Sequence, residues 1–351
     1  MNRTLLLLLL FALLAGGTFL LYRYNTDGSR KVEGGAWERQ FAVEETDRIH
    51  KIFLADRHGH STTLERKDGQ WMVNGTHRAH APAVNSLLDA IRRIELKFIP
   101  PRAAVENMVE SLATEGIKVE IYDRQGDLLK SYYVGGATAD ERGTYMIMED
   151  SDNPYVVHIP SWEGNVRFRY SLIGDEWRDR TLFGEHPDDI RSVSVEYPKQ
   201  RNQSFRLERE GRTFAVRPFY ELTPARDMPM RPGAAQAYLV EYDRVIASDF
   251  RNAFLQKDSL FRQVPFSIIR LEKMDGTKKE ARIWPIYDEY ESQDPKTGKR
   301  DYQRNLDRFF VQLNGEDLFL IQKHLIEPLF WSYPSFFEQT PGEQAAHPFE
   351  G

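Results

Sequence analysis

The chain has 351 residues, 41% of them hydrophobic and 28% charged, with a net charge of -6. That length holds about two domains with cores of their own. Charge is spread along the chain with no basic stripe interleaved with aromatics, which argues against nucleic acid as a partner. The absence of cysteine excludes disulfides, thiolate metal sites, iron–sulfur clusters and cysteine nucleophiles.

Residues 5–21 form an uncharged apolar run that Thr4 and Tyr22 extend. As a helix rising about 1.5 Å per residue, it nearly spans a hydrocarbon core of roughly 30 Å. The expectation is a retained single-pass membrane anchor over residues 1–24. Cleavage at Ala15, Gly16 and Gly17 is the competing reading, weakened because Phe19, Leu20 and Leu21 continue the run. Glycine stands where a lipoprotein signal carries its cysteine, so lipidation is excluded. Arg23, Arg30, Lys31 and Arg39 come after the run and by count favour a cytoplasmic body, whereas the three-residue leader looks like a signal anchor that exports the chain beyond it. The favoured placement is the inner membrane with the body in the periplasm. Residues 25–40 turn polar and glycine-bearing and read as a flexible spacer.

Two copies of one strand pattern organise the rest. Residues 46–73 and 188–216 each read as a strand with apolar residues two apart, a polar turn, and a second strand ending in a charged tight turn and an aromatic, Trp71 in one and Phe214 in the other. In the first copy a helix follows from Pro82, with Val84, Leu87, Leu88, Ile91 and Ile94 on one face. A shorter helix follows from Pro101, with Gly116 as its stop. Residues 117–134 form a hairpin turning at Gly126, closed by Gly135 and Gly136, and a further strand pair lies around Met146 and Val156.

The second copy repeats this order, with a helix expected over 234–250 and Gly276 in the place of Gly126. The expected class is therefore α+β: two tandem antiparallel β-meanders, each with an inserted helix covering one sheet face, over residues 41–183 and 184–337, preceded by one N-terminal transmembrane helix. Residues 288–301 read as a solvated hairpin tip, and 338–351 as a disordered tail. Residues 328–337 hold five aromatics, which either seal the second core or form a contact surface. Between the copies, Trp177-Arg178-Asp179-Arg180-Thr181-Leu182-Phe183 suits a hinge fixed by charged hydrogen bonds.

This junction, together with the Leu64–Gly75 segment L-E-R-K-D-G-Q-W-M-V-N-G, the helix V-N-S-L-L-D-A-I and the Y-Y-V-G-G hairpin, resembles a bacterial family of domains of unknown function over roughly residues 41–337. The resemblance implies a single-anchor envelope protein of the kind found in the Bacteroidetes, with related domains in auxiliary subunits of gliding-type ABC transporters. It implies an accessory role and carries over no catalytic residue.

No familiar hydrolase, dinucleotide or phosphate-loop motif occurs; no catalytic, cofactor or metal residue is assigned, and no small-molecule ligand is evident. The alternative chemistry rests on histidine. Five of the chain's nine histidines lie between positions 50 and 80, and His58, His60, His77 and His80 could give four imidazoles to zinc or nickel. Their place in polar turns favours ordinary exposed residues. The sequence thus points to a membrane-anchored, non-catalytic accessory or protein-interaction module of the bacterial envelope, with a protein partner that includes an ABC transporter among its candidates.

Overall fold

The computed structural model describes residues 35–293 and 300–338. The expected anchor, most of the spacer, the centre of the charged insertion and the expected tail from 339 onward lie outside them. The described residues fall into two compact units that divide between Arg178 and Asp179.

The first unit runs β1 (Lys51–Ala55), β2 (Ser61–Lys67), β3 (Gln70–Val73), β4 (His77–Arg78), α1 (Ala81–Arg93), β5 (Glu95–Phe98), α2 (Arg102–Glu115), β6 (Ile117–Tyr122), β7 (Leu128–Ala137), β8 (Thr144–Met148) and β9 (Tyr155–His158). All strands join one antiparallel sheet in the order β4-β3-β2-β1-β6-β7-β8-β9-β5. Alternation selects the buried face: Ile52 stands opposite Leu64 on one side and Ile121 on the other, and all three are fully buried. Helix α1 lays Val84, Leu87, Ala90 and Ile91 into the same core. Arg92 and Arg93 in its last turn complement the helix dipole.

Helix α2 buries only Met108 and Leu112. Its close approach explains the first glycine of the pair, which lies inside β7 rather than closing the hairpin as expected. A methyl group on Gly135 would meet Leu112 Cδ2 at 2.8 Å and the Tyr145 carbonyl oxygen at 3.2 Å.

The second unit runs β10 (Thr181–Phe183), β11 (Ile190–Glu196), β12 (Phe205–Glu210), β13 (Thr213–Pro218), α3 (Ala234–Leu239), β14 (Val245–Ile246), β15 (Asp249–Phe250), α4 (Lys257–Phe261), β16 (Ser267–Lys273), β17 (Lys278–Gln293), β18 (Arg300–Leu313), β19 (Asp317–Gln322) and α5 (Lys323–Ile326). Its eight-stranded antiparallel sheet has the order β13-β12-β11-β16-β17-β18-β19-β15, and β10 pairs with β14. From β3 to β5 and from β13 to β15 the two orders correspond place by place; in each unit the strand after the inserted segment returns to the far edge, beside the last strand. The first unit adds β4 at the opposite edge.

The α+β expectation is corrected. Antiparallel sheet carries both units, and among the described residues only α1 and α2, of 13 and 14 residues, exceed two turns. The helix expected over 234–250 stops at Leu239, followed by a 3-10 turn and two short strands. Leu239, Tyr242, Val245 and Ile246 do recur at helical spacing, but β14 pairs with β10, setting Val245 opposite Phe183. The Ala247 amide bonds to the Arg180 carbonyl. Pairing with a distant strand overrides a local period that fits either structure. The transmembrane helix in the same expectation also lacks support: among the described residues no helix is long and apolar enough to cross a membrane, and residues 1–24 lie outside them.

The aromatic end seals the second core. Leu329, Phe330, Tyr333, Phe336 and Phe337 are all buried. Tyr238 is the hub, with ring centroids 5.3 Å from Phe205, 5.5 Å from Phe336 and 5.3 Å from Trp331. The first two pairs are edge to face, and such packing adds about 0.5–1.5 kcal/mol per pair beyond area burial.

Candidate functional site

The four histidines do not form one site. His58 and His60 lie in the turn between β1 and β2, His77 in edge strand β4, and His80 at the N-terminus of α1. His60 Nδ1 is 2.7 Å from Asp56 Oδ2, and Asp56 Oδ1 accepts the main-chain N–H groups of His58 and His60. Burial alone would raise the Asp56 carboxyl; the His60 bonds outweigh it and hold it below its ordinary value. Asp56 thus builds the turn, as Asp123 does for the turn at Gly126. His58 and His60 rim a cavity of about 150 Å³ whose walls include Glu115, Arg167 and Tyr170. Arg167 spends its guanidinium on the carbonyls of Val134 and Glu115. Among the described residues no group of three or more histidine, aspartate or glutamate side chains could hold a metal ion.

Arg180 of the junction donates to the Ser248 carbonyl. Arg178 donates to Asp175 at 2.8 Å in the first unit, and Asp179 accepts from the hydroxyl and amide of Thr181 in the second.

Each sheet carries a half-buried charge cluster, centred on β6 in the first unit and on β16 in the second. In the first unit Lys118 Nζ lies 2.8 Å from Glu120 and 2.9 Å from Glu149. Tyr122 donates to Glu120, and Ser131 to Glu149. Hydrogen bonds to the two carboxylates raise the Lys118 ammonium. Those from Ser131 and Lys118 lower Glu149. In the second unit Arg270 reaches Glu196 at 2.9 Å and Glu280 at 2.8 Å. Along the chain Glu149 opens an acidic stretch that reads as a solvated turn; only the sheet register reveals its partners.

The second unit also carries an arm. Strand β16 pairs with β17 only as far as Ile283, and β19 with β18 only from Arg308, while the ladder between β17 and β18 continues to Gln293 and Arg300. Pro285, which lacks an N–H, stands where β16 gives out. Residues 287–293 and 300–307 therefore pair, among the described residues, only with one another. On either side of residues 294–299, which are outside the described residues, the charged insertion continues the hairpin as a two-stranded ribbon. Asp288 and Glu289 face Arg308 and Arg304 across it at 2.8 and 2.9 Å, and Tyr287 is 51% exposed.

At the turn between β11 and β12, a groove of about 790 Å³ runs between residues 198–202 and 219–224. Arg201 stacks over Tyr220 at 5.2 Å and Arg206 over Phe219 at 5.6 Å. Tyr220 donates to Glu196 at 2.7 Å, and burial together with that bond pushes its hydroxyl up to about 12. Leu222 on the rim is 94% exposed. Nothing in the linear sequence marks the groove, because its walls come from two separate turns.

A family model described as a domain of unknown function, DUF4340, matches residues 76–263, more than half of the chain. No curated protein and no solved structure matches it.

Proposed function

The chain belongs to the DUF4340 family of domains of unknown function, and from that premise we propose that it is a non-catalytic accessory module of a bacterial envelope, tethered through the apolar run at residues 5–21 and serving to hold a protein partner, an ABC transporter being the leading candidate. The observation that carries this reading is the arm. A two-stranded ribbon is marginal in water, and its two edges, which pair with no other strand among the described residues, offer main-chain donors and acceptors as a template for a partner's strand. The cross-strand pairs Asp288–Arg308 and Glu289–Arg304 hold its two strands together. At roughly 3.4 Å per residue it reaches some 20 Å past its sheet, enough for several strand-to-strand hydrogen bonds.

The test is affinity capture of the full-length chain from detergent-solubilised host membranes, beside a variant in which residues 287–307 are replaced by Asn-Gly across the Ile286–Arg308 pair. The expected result is a stoichiometric envelope protein with the natural chain and its loss with the shortened arm at an unchanged melting temperature. Recovery of the natural chain alone counts against the accessory reading. Equal capture by both chains removes the arm from it.

A further inference from the structure

We infer that the groove beside Tyr220 is a recognition site for an extended, proline-bearing acidic peptide segment of a partner protein. This deepens the accessory reading and rests on it, but uses a surface separate from the arm. The floor is aromatic: Phe219 and Tyr220 stand edge to face with ring centroids 5.1 Å apart, each with one face under a guanidinium group, and Pro198 and Pro224 flank them. Aromatic shelves of this kind suit a polyproline-type ligand, which is already extended and loses little entropy on binding.

Charge selects the ligand's sign. Lys199 and Arg201 line the groove against the single lining carboxylate of Glu221; Arg206, on Phe219, is itself 3.9 Å from Glu208. A carboxylate on the peptide gains from these guanidinium groups, whereas a lysine there is repelled. Leu222, almost wholly exposed at the rim, gains cover from the bound chain. The volume lies within the range of sites that enclose a short peptide or drug-sized ligand.

The test is fluorescence anisotropy of the full chain in detergent micelles, with a labelled ten-residue peptide carrying two prolines three positions apart and two glutamates. The expected result is saturable binding that weakens about tenfold or more in Leu222→Asp and in Arg201→Glu. Both substitutions are at exposed side chains, so folding is preserved. The same peptide with lysines for glutamates should bind at least as poorly as the variants leave the acidic one. No saturable binding, equal binding of the two peptides, or indifference to Leu222→Asp overturns the inference. Displacement of the probe by a free peptide of residues 339–351 at lower concentration than the unlabelled probe requires would instead assign the groove to the chain's own C-terminal residues. Retained peptide binding by the arm-shortened chain that has lost its captured partner separates failure of this inference from failure of the arm.

Discussion

Tyr238 and Tyr242 lie four residues apart with both rings fully buried and their hydroxyl oxygens 2.6 Å from each other. Tyr238 donates its own proton to the Leu329 carbonyl at 3.1 Å, so Tyr242 is the donor between the two. The pair ties α3 to the chain's aromatic end, which closes the core. Tyr242→Phe removes one donor and leaves Tyr238 its carbonyl bond; the expected loss is about 1 kcal/mol. Tyr238→Phe leaves both a donor and a carbonyl unpaired in the core and should cost roughly 2–3 kcal/mol. Urea denaturation of the two variants checks the order.

Alkaline pH should unfold the protein steeply. Burial raises the hydroxyls of Tyr132, Tyr197, Tyr238 and Tyr242 above the ordinary tyrosine value, and that of Tyr170 to about 12. Above pH ~10 the unfolded chain releases these protons while the folded chain keeps them. Stability is therefore full below about pH 10 and falls as pH rises toward the folded values, by about 1.4 kcal/mol per pH unit for each such tyrosine. Tyrosinate absorbance recorded with circular dichroism should show ionisation of these rings and loss of structure in one transition. Ionisation well before unfolding would contradict the burial.

Lys118→Met should destabilise the first unit and make it more sensitive to acid. The substitution leaves Glu120 and Glu149 facing each other without their shared cation, a cost of about 1–2 kcal/mol once partial exposure is discounted. Burial alone would push Glu120 up, but the bonds from Lys118 and Tyr122 hold it low; Glu149 is lowered too. Their contribution is present above the ordinary carboxylate value and is lost as pH falls through the depressed ones. Removing Lys118 shrinks that depression, so the midpoint of acid unfolding should move to higher pH. An unchanged acid midpoint would show that the cluster stores no stability.

Gly135→Ala should cost about 1–3 kcal/mol, because the new methyl group overlaps Leu112 and crowds the Tyr145 carbonyl. Leu112→Ala alone opens a cavity under α2 at about 2–4 kcal/mol. In the double variant the Gly135 penalty should shrink, since Leu112 Cδ2 and Cγ are the nearest atoms. Strict additivity in a double-mutant cycle would place the strain elsewhere.

Much of this architecture is local and could be read along the chain. The duplicated strand–turn–strand pattern is written in residues two apart, the turns at Gly126 and Gly276 need a positive φ that glycine adopts freely, and α1 and α2 announce themselves by proline at the start and helical spacing within. Each of these signals depends on neighbours within a few residues. The segment after Leu239 failed for the same reason in reverse: its apolar spacing suits helix or short strand, and β10 decided between them.

The candidate sites were not legible because their parts come from distant positions. Glu149 meets Lys118 only once β6, β7 and β8 are in register, and Arg270 meets Glu196 only across β11 and β16. The clustered histidines were close in sequence, yet the turn, the edge strand and the helix start hold them apart as ligands.

By itself, then, the sequence determined the duplication, the apolar run at residues 5–21, the exclusion of cysteine chemistry, and the opening strand–turn–strand and the Gly126 or Gly276 hairpin of each copy, since composition and short-range periodicity specify them. Only the tertiary structure decided that sheet prevails over helix in the second unit, that the aromatic end is core, that the charged insertion is an arm and that a cationic, aromatic groove lies beside Tyr220. Those outcomes depend on which strands end early and which side chains meet across the sheet, and long-range contacts of that kind leave no mark on the spacing of neighbouring residues.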